Sequence, residues 1–240
     1  MKRYIYTLLT LALIAIGCQQ GSNEELYVVE QPKGPQFHAS FGDDTRIFIN
    51  EDHKLRWHSG DQISLFVGST VNKQYQFDGE TGDSSGTFSD ISSSASGSGS
   101  AVACNYAVYP YNPNVTLYSN GRISLILPKE QIYNEGSFGR GANVMVATTA
   151  NTSDHELMFR NVCSYLRVCL WGENQTVKSI TVTSRTNKAI AGNMSITPRY
   201  GEEPICTMRG TEKSITLTCE DTVEVSSSKD TPTEFWIVIP

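Results

Sequence analysis

The sequence predicts an all-β protein made of two tandem β-sandwich domains. Three observations favour this class. Apolar and polar residues alternate with period two in many short segments, which is the pattern of half-buried strands. No segment carries a sustained helical stripe with capping residues. Serine and threonine together supply 48 of 240 residues, alongside 19 glycines and 11 tyrosines, a composition that suits strands and turns.

The first domain is predicted to span residues 37–152. Its strands are expected to begin near Phe37, Ile47, Ile63, Tyr75, Ala101, Ile123 and Val144. The nearly continuous apolar run Ala101–Tyr109 predicts a strand buried on both faces, and Asn120-Gly121 is a strong hairpin-turn signal. Trp57 and Tyr106 are expected in the core. The Ser/Gly-rich stretch Gly82–Ser100 is predicted to be a mobile surface loop.

The second domain is predicted to span residues 153–240, after the polar stretch Thr149–Asp154. Its strands are expected at Leu157–Phe159, Tyr165–Trp171, Val177–Thr183, Ala189–Ile196, Ile215–Leu217, Val223–Val225 and Phe235–Ile239. A domain that stopped on its most hydrophobic strand would leave an unpaired edge. The second domain is therefore expected to be incomplete in this chain, unless its last strand closes the sheet or pairs with another molecule.

The N-terminus has the layout of a secretory signal. Lys2 and Arg3 precede an uncharged apolar run that ends at Gly17-Cys18. This segment resembles the lipobox of bacterial lipoproteins, although Ala15 stands where that family usually has leucine. The resemblance implies a signal peptide over residues 1–17 and cleavage by signal peptidase II between Gly17 and Cys18. The alternative is an ordinary secreted protein with a chance cysteine at this position.

Acylation of Cys18 would anchor the protein stably, because several acyl chains on one residue hold a membrane where a single chain does not. Residues 18–36 then form a linker, and the predicted location is the outer membrane, with the protein lipid-anchored at the cell surface or in a fimbrium. Five further cysteines remain: Cys104, Cys163, Cys169, Cys206 and Cys219. A Cys206–Cys219 bridge across a hairpin is conceivable in an oxidising compartment.

The charge balance and the motifs exclude several function classes. With 19 Lys and Arg against 25 Asp and Glu, the chain lacks the basic surplus that nucleic-acid binding needs. The sequence contains no nucleotide-binding loop, zinc-protease or nucleophile-elbow motif. We therefore predict a protein that is not an enzyme, with no catalytic residues, no cofactor and no metal site. The four histidines are expected to face solvent.

Aromatic residues are the remaining candidates for binding. Exposed tyrosines can stack on sugars, and Tyr111 and Tyr118 are the predicted ligand contacts. They motivate an alternative function, in which the protein is a lipid-anchored module that binds glycans or host proteins and never polymerises.

A series of short motifs runs through the chain in order. It comprises Thr45-Arg46, Trp57-x-x-Gly60-Asp61-x-Ile63, Tyr109-Pro110-Tyr111, Leu127-Pro128-x-x-Gln131, Phe159-x-Asn161, Ala191-Gly192 and Phe235–Pro240. In order and spacing the series resembles the fimbrillin-like family, surface lipoproteins that build or cap type V pili. The resemblance spans about residues 37–240.

This resemblance implies two transthyretin-like β-sandwich domains and a structural or adhesive role in pili, as a stalk, tip or anchor subunit. It also implies assembly with other pilus subunits by donor-strand exchange, in which an open groove gains main-chain hydrogen bonds and apolar contacts from a neighbour's strand. In that scheme a protease cuts after an arginine ahead of the first domain. Arg46 is the candidate cleavage site, with a plain surface charge as the alternative.

Overall fold

The computed structural model describes residues 34–42, 55–93 and 97–240 of the chain. These residues contain sixteen β-strands and no helix. The strands are β1 (Phe37–Phe41), β2 (Gln62–Phe66), β3 (Lys73–Phe77), β4 (Ser85–Asp90), β5 (Tyr106–Tyr109), β6 (Thr116–Leu117), β7 (Ile123–Leu127), β8 (Glu130–Ile132), β9 (Met145–Thr148), β10 (Glu156–Asn161), β11 (Ser164–Leu170), β12 (Thr176–Thr183), β13 (Gly192–Arg199), β14 (Glu202–Met208), β15 (Ser214–Glu224) and β16 (Thr233–Ile239). The predicted all-β class is confirmed. Within the described ranges, no helix is long and apolar enough to cross a bilayer.

Seven strands close into a barrel in the order β1-β10-β9-β5-β2-β3-β4. β4 pairs with β1 in antiparallel fashion and β10 pairs with β1 in parallel, so every strand of the barrel has two neighbours. Closure removes the exposed edges that would otherwise pair with other chains.

Three smaller sheets complete the fold. They are the pair β11-β16, the triplet β12-β15-β8 and the four-stranded sheet β14-β13-β7-β6. The described residues all belong to one compact unit.

Two hydrophobic clusters lie between these sheets, and β16 contributes to both. Trp236 and Val238 belong to the first cluster, which fills the barrel and extends to β7 and β13. Phe235 and Ile237 belong to the second, between β11-β16 and β15. Because successive side chains of a strand point to opposite faces, β16 is buried on both sides, which explains its run of four consecutive buried apolar residues.

Strand pairing crosses the predicted boundary at residue 152 in both directions. β10 follows that residue, yet it lies in the barrel beside β1. β7 and β8 precede it, yet they pair with β13 and β15. The polar stretch near residue 152 is a turn between β9 and β10, so the pairing does not divide the chain there.

The predicted loop Gly82–Ser100 contains a strand with a fully buried aromatic side chain, which corrects the sequence interpretation. β4 runs through it, and the Phe88 side chain is fully buried against Trp57 and Phe77. The segment is rich in serine and glycine, and one buried aromatic, Phe88, makes most of the apolar contacts of the strand. The sequence therefore lacks the alternation of apolar residues that would predict a strand. Residues 94–96 lie outside the described residues.

Other elements differ from the prediction in extent. The run from Ala101 forms a regular strand only at its end, as β5. The segments predicted at Ile215 and Val223 are parts of one long strand, β15. The sequence does not predict β14, because this strand (EEPICTM) is polar at its start and contains a proline. Trp57 and Tyr106 lie in the core as predicted. The turn between β6 and β7 falls at Asn120-Gly121, where Gly121 has φ +78°, a conformation that favours glycine.

Candidate functional site

Several predicted site residues lie outside the described residues. They are Gly17 and Cys18 of the signal-peptidase site and Arg46 of the proposed maturation site. Their assignments stay predictions.

The two predicted ligand-contacting tyrosines occupy different environments. Tyr111 is half-buried, and its backbone N–H donates to the Gln62 carbonyl at 2.7 Å. Tyr118 is 42% exposed in the turn between β6 and β7, and the Arg122 guanidinium lies 4.0 Å from its ring centroid. No ring contact joins the two tyrosines among the described residues.

The more distinctive surface is the open side of the second hydrophobic cluster, formed by β11 and β12. β11 pairs only with β16, and β12 pairs only with β15, within the described part of the chain. These two strands follow one another in sequence and belong to different sheets. Each leaves one edge of its sheet without a strand, so its outward N–H and C=O groups have no ladder partner there.

Aliphatic side chains alternate along both of these strands. Leu166, Val168 and Leu170 of β11, and Ile180 and Val182 of β12, pack against the second cluster but stay only half-buried. The spacing of two places each set on one face of its strand. We call this surface, defined by these five side chains and the two free edges, the open cleft.

The opposite edge of β16 is closed. The Gln131 side chain donates from Nε2 to the Val238 carbonyl at 2.8 Å, and its Oε1 accepts from the Val238 N–H at 2.9 Å. Phe138 adds a bridge beside Trp236. Gln131 therefore does with one side chain what a neighbouring strand would do with its backbone, and it fixes β8 to β16.

None of the five described cysteines forms a disulfide. The bridge considered between Cys206 and Cys219 is absent, because Cys206 lies on β14 and Cys219 on β15, which belong to different sheets. Burial raises the pKa of the Cys163 thiol to about 12. This thiol stays protonated at neutral pH and is a poor nucleophile.

The three histidines in the described part of the chain belong to no cluster of metal-ligating side chains. His155 packs on Phe37 with ring centroids 4.7 Å apart, and His53 lies outside the described residues. Among residues 34–42, 55–93 and 97–240, no set of three His, Cys, Asp or Glu side chains comes together to hold a metal ion.

Comparisons with known proteins give little beyond this geometry. No family model matches the chain, and no curated protein matches it. One solved structure is similar: a "putative cell adhesion protein" from Bacteroides ovatus ATCC 8483, at 14% sequence identity and a TM-score of 0.44. The alignment covers 87% of this chain and 78% of that one.

Proposed function

We propose that this protein is a cell-surface lipoprotein of the fimbrillin-like type, a structural or adhesive component of pili. The observation that carries the proposal is the open cleft. β11 and β12, which are consecutive in sequence, each have one edge without a partner strand among the described residues and carry half-buried aliphatic side chains at every second position. An extended segment of a neighbouring subunit would satisfy both, because β-augmentation supplies backbone hydrogen bonds together with alternating side-chain contacts.

Three motif residues of the sequence series support the same proposal through their structural roles. Trp57 fills the barrel core, Gly60 forms the turn before β2 with φ +79°, and Gln131 joins β8 to β16. These residues build the framework on which the cleft lies. In this proposal acylated Cys18 holds the chain at the outer membrane, and cleavage after Arg46 precedes assembly.

Electrophoresis without heating tests assembly. Polymers joined by an inserted strand resist mild detergent, so we expect a ladder of bands from surface extracts of the native organism. Ile180→Asp places a charge in the cleft and should abolish the ladder. Thr181→Asp is the matched control, since Thr181 is the next residue of β12 and is exposed on its other face.

A single monomeric band from unaltered cells would contradict a stalk role. Because Ile180→Asp could also impair folding, Val182→Thr serves as a milder variant of nearly the same shape. Mass spectrometry of the mature chain tests the anchor independently: the proposal expects an acylated N-terminal Cys18. N-terminal sequencing of surface material shows whether the chain begins after Arg46.

A further inference from the structure

The start of β14 lies against the end of β10, although the two strands belong to different sheets. Arg160 Nη1, on β10, is 2.6 Å from Oε1 of Glu203 on β14, and Arg160 Nη2 donates to the Gly201 carbonyl at 3.5 Å. A pocket of about 230 Å³ lies between the two strands, with Arg160 on one side and Pro204 on the other. The hairpin of β13 and β14 therefore covers part of the outer side of the barrel.

Each of these two segments carries a cysteine three residues beyond the ion pair: Cys163 in the turn after β10, and Cys206 on β14. Cys163 packs against the first hydrophobic cluster. Cys206 is paired with the fully buried Ile196 and is two residues from Met208, which packs against the same cluster. Because side chains two apart on a strand share a face, the side chain of Cys206 points to the side of the sheet on which Cys163 lies.

The electrostatics of Cys163 also indicate that the two sulfurs are close. Burial raises the pKa of Cys163, a hydrogen bond from the Val144 backbone opposes the rise, and a negative charge on Cys206 adds to it. An interaction between two side-chain charges requires proximity, since it weakens with distance. The bond from Val144 places the Cys163 sulfur just before β9, beneath the β13–β14 hairpin.

We infer that Cys163 and Cys206 form a disulfide in the exported protein. The inference rests on the proposed function for the compartment alone, because disulfides persist where exported proteins are oxidised, and the structure shows the reduced form. Among the described residues β14 pairs only with β13, and most of its side chains are exposed. The bridge fixes this edge strand to the barrel and closes the loop between the two cysteines, which restricts the unfolded chain.

Bridge formation needs a two-electron oxidant, and the co-reactant is an oxidised disulfide carrier of that compartment. The thiolate of Cys206, the more exposed of the two, attacks one carrier sulfur and releases the other as a thiolate. The Cys163 thiolate then attacks the Cys206 sulfur, and the second carrier sulfur leaves. The two protons lost by the cysteines convert the carrier thiolates to thiols. Burial and the Glu203 carboxylate raise the pKa of Cys206 to about 11, so the exchange is slow at neutral pH.

Peptide mapping tests the pairing, because trypsin cuts between all five cysteines that follow residue 18. Cys163 lies alone in peptide 161–167 and Cys206 alone in peptide 200–209. The full chain in detergent is incubated at mildly alkaline pH with glutathione, mostly in its oxidised form. It is then denatured at acidic pH with N-ethylmaleimide and digested without reductant. We expect mass spectrometry to find these two peptides joined as the main cross-link, and the other three cysteines as maleimide adducts.

Thermal unfolding of matched variants tests the effect of the bridge. The oxidised chain should melt about 5 °C or more above the reduced chain, the scale expected for a bridge that closes a loop of this length. Cys163→Ser and Cys206→Ser should each abolish the difference between the two redox forms. Cys169→Ser, at a half-buried cysteine on β11, should keep it. Because each variant is compared with itself, a general loss of stability does not imitate this result.

Three results would overturn the inference. They are maleimide adducts at both cysteines after oxidation, a glutathione adduct on Cys206 without a link to Cys163, and free thiols at both positions in protein taken from the surface of the native organism. The first two are read on purified protein and do not depend on export or assembly. The ladder of bands that tests the proposed function reports on assembly alone, so the two proposals can fail separately.

Discussion

The two hydrophobic clusters of this protein are built from similar residues but reach different degrees of completion. Among the described residues, the first cluster has 31 buried members against 8 that are partly buried. The second has 7 buried members against 10 that are partly buried. The first fills a closed barrel and extends to β7, β13 and β16, whereas the second lies between two small sheets that leave the edges of β11 and β12 without a partner strand among the described residues.

Closure of the sheet, more than residue composition, decides how far a β-core excludes water. In a barrel every strand has two neighbours, so inward side chains are covered from both sides. In an open pair of sheets the inward residues of the edge strands have cover on one side only. The barrel can therefore supply stability, and the second region is left with apolar surface that another segment could cover.

The largest expected effect is on the barrel. Phe88→Ala removes a fully buried ring that packs on Trp57 with centroids 5.1 Å apart, and we expect a loss of about 3–5 kcal/mol of unfolding free energy. Leu170→Ala, in the open cleft, should cost clearly less because this side chain is already half-exposed. Chemical denaturation measures both. Equal losses would show that the two clusters do not differ energetically.

The next effect concerns the residue that closes one edge of β16. Gln131→Met keeps the shape of the side chain but leaves the Val238 N–H and C=O without their partners. We expect a cost of about 2–4 kcal/mol, since each buried unpaired group costs roughly 1–3. The Val238 amide should also exchange its hydrogen faster. Gln62→Met, at a half-buried site where the amide bonds the side chains of Gln74 and Gln76, is the control and should cost less than about 0.5 kcal/mol.

The sequence predicted the fold class and most strand positions, because alternation of apolar residues reports directly on half-buried strands. It did not predict β4, whose single aromatic residue is Phe88, or β14, whose sequence begins with polar residues. It did not reveal the pocket of about 240 Å³ beside the loop between β8 and β9. Ser137 and Asn143 lie in that Gly-rich loop, which has no periodicity, and only the folded chain makes them line the same pocket as Trp57. Gln131 was singled out as a motif residue, but its bonds to β16 depend on a partner 107 residues away.

The same exchange of valine for threonine is expected to have different costs in the two regions. Val146→Thr in the barrel places a hydroxyl where the side chain is 2% exposed, and should cost about 1–3 kcal/mol unless the hydroxyl finds a partner. Val182→Thr in the open cleft leaves the hydroxyl in reach of water and should cost about 1 kcal/mol or less. Thermal unfolding of the two variants tests this order. A reversed order would mean that the cleft is better covered than its free edges indicate.

The smallest effect is electrostatic and lies on the barrel wall. Lys73 Nζ is 3.1 Å from Oδ2 of Asp90. Burial raises the pKa of Asp90, but hydrogen bonds from Ser92 and the Lys73 ammonium outweigh it, so the pKa lies below its ordinary value. A carboxyl with a lowered folded-state pKa stabilises the protein above its unfolded pKa, and this contribution is lost as pH falls through the folded value.

We therefore expect Lys73→Met to destabilise the protein at pH 7 by at most about 1 kcal/mol, since the lysine is partly exposed and the pair is screened. The gap between the variant and the unaltered chain should shrink as pH falls from 5 towards 2, because protonated Asp90 no longer benefits from the ammonium. Urea denaturation at a series of pH values measures this. Lys229→Met should show no such dependence, because Lys229 forms no salt bridge among the described residues. A gap for Lys73→Met that stays constant with pH would mean that the lysine acts on the barrel through packing of its alkyl chain and not through its charge.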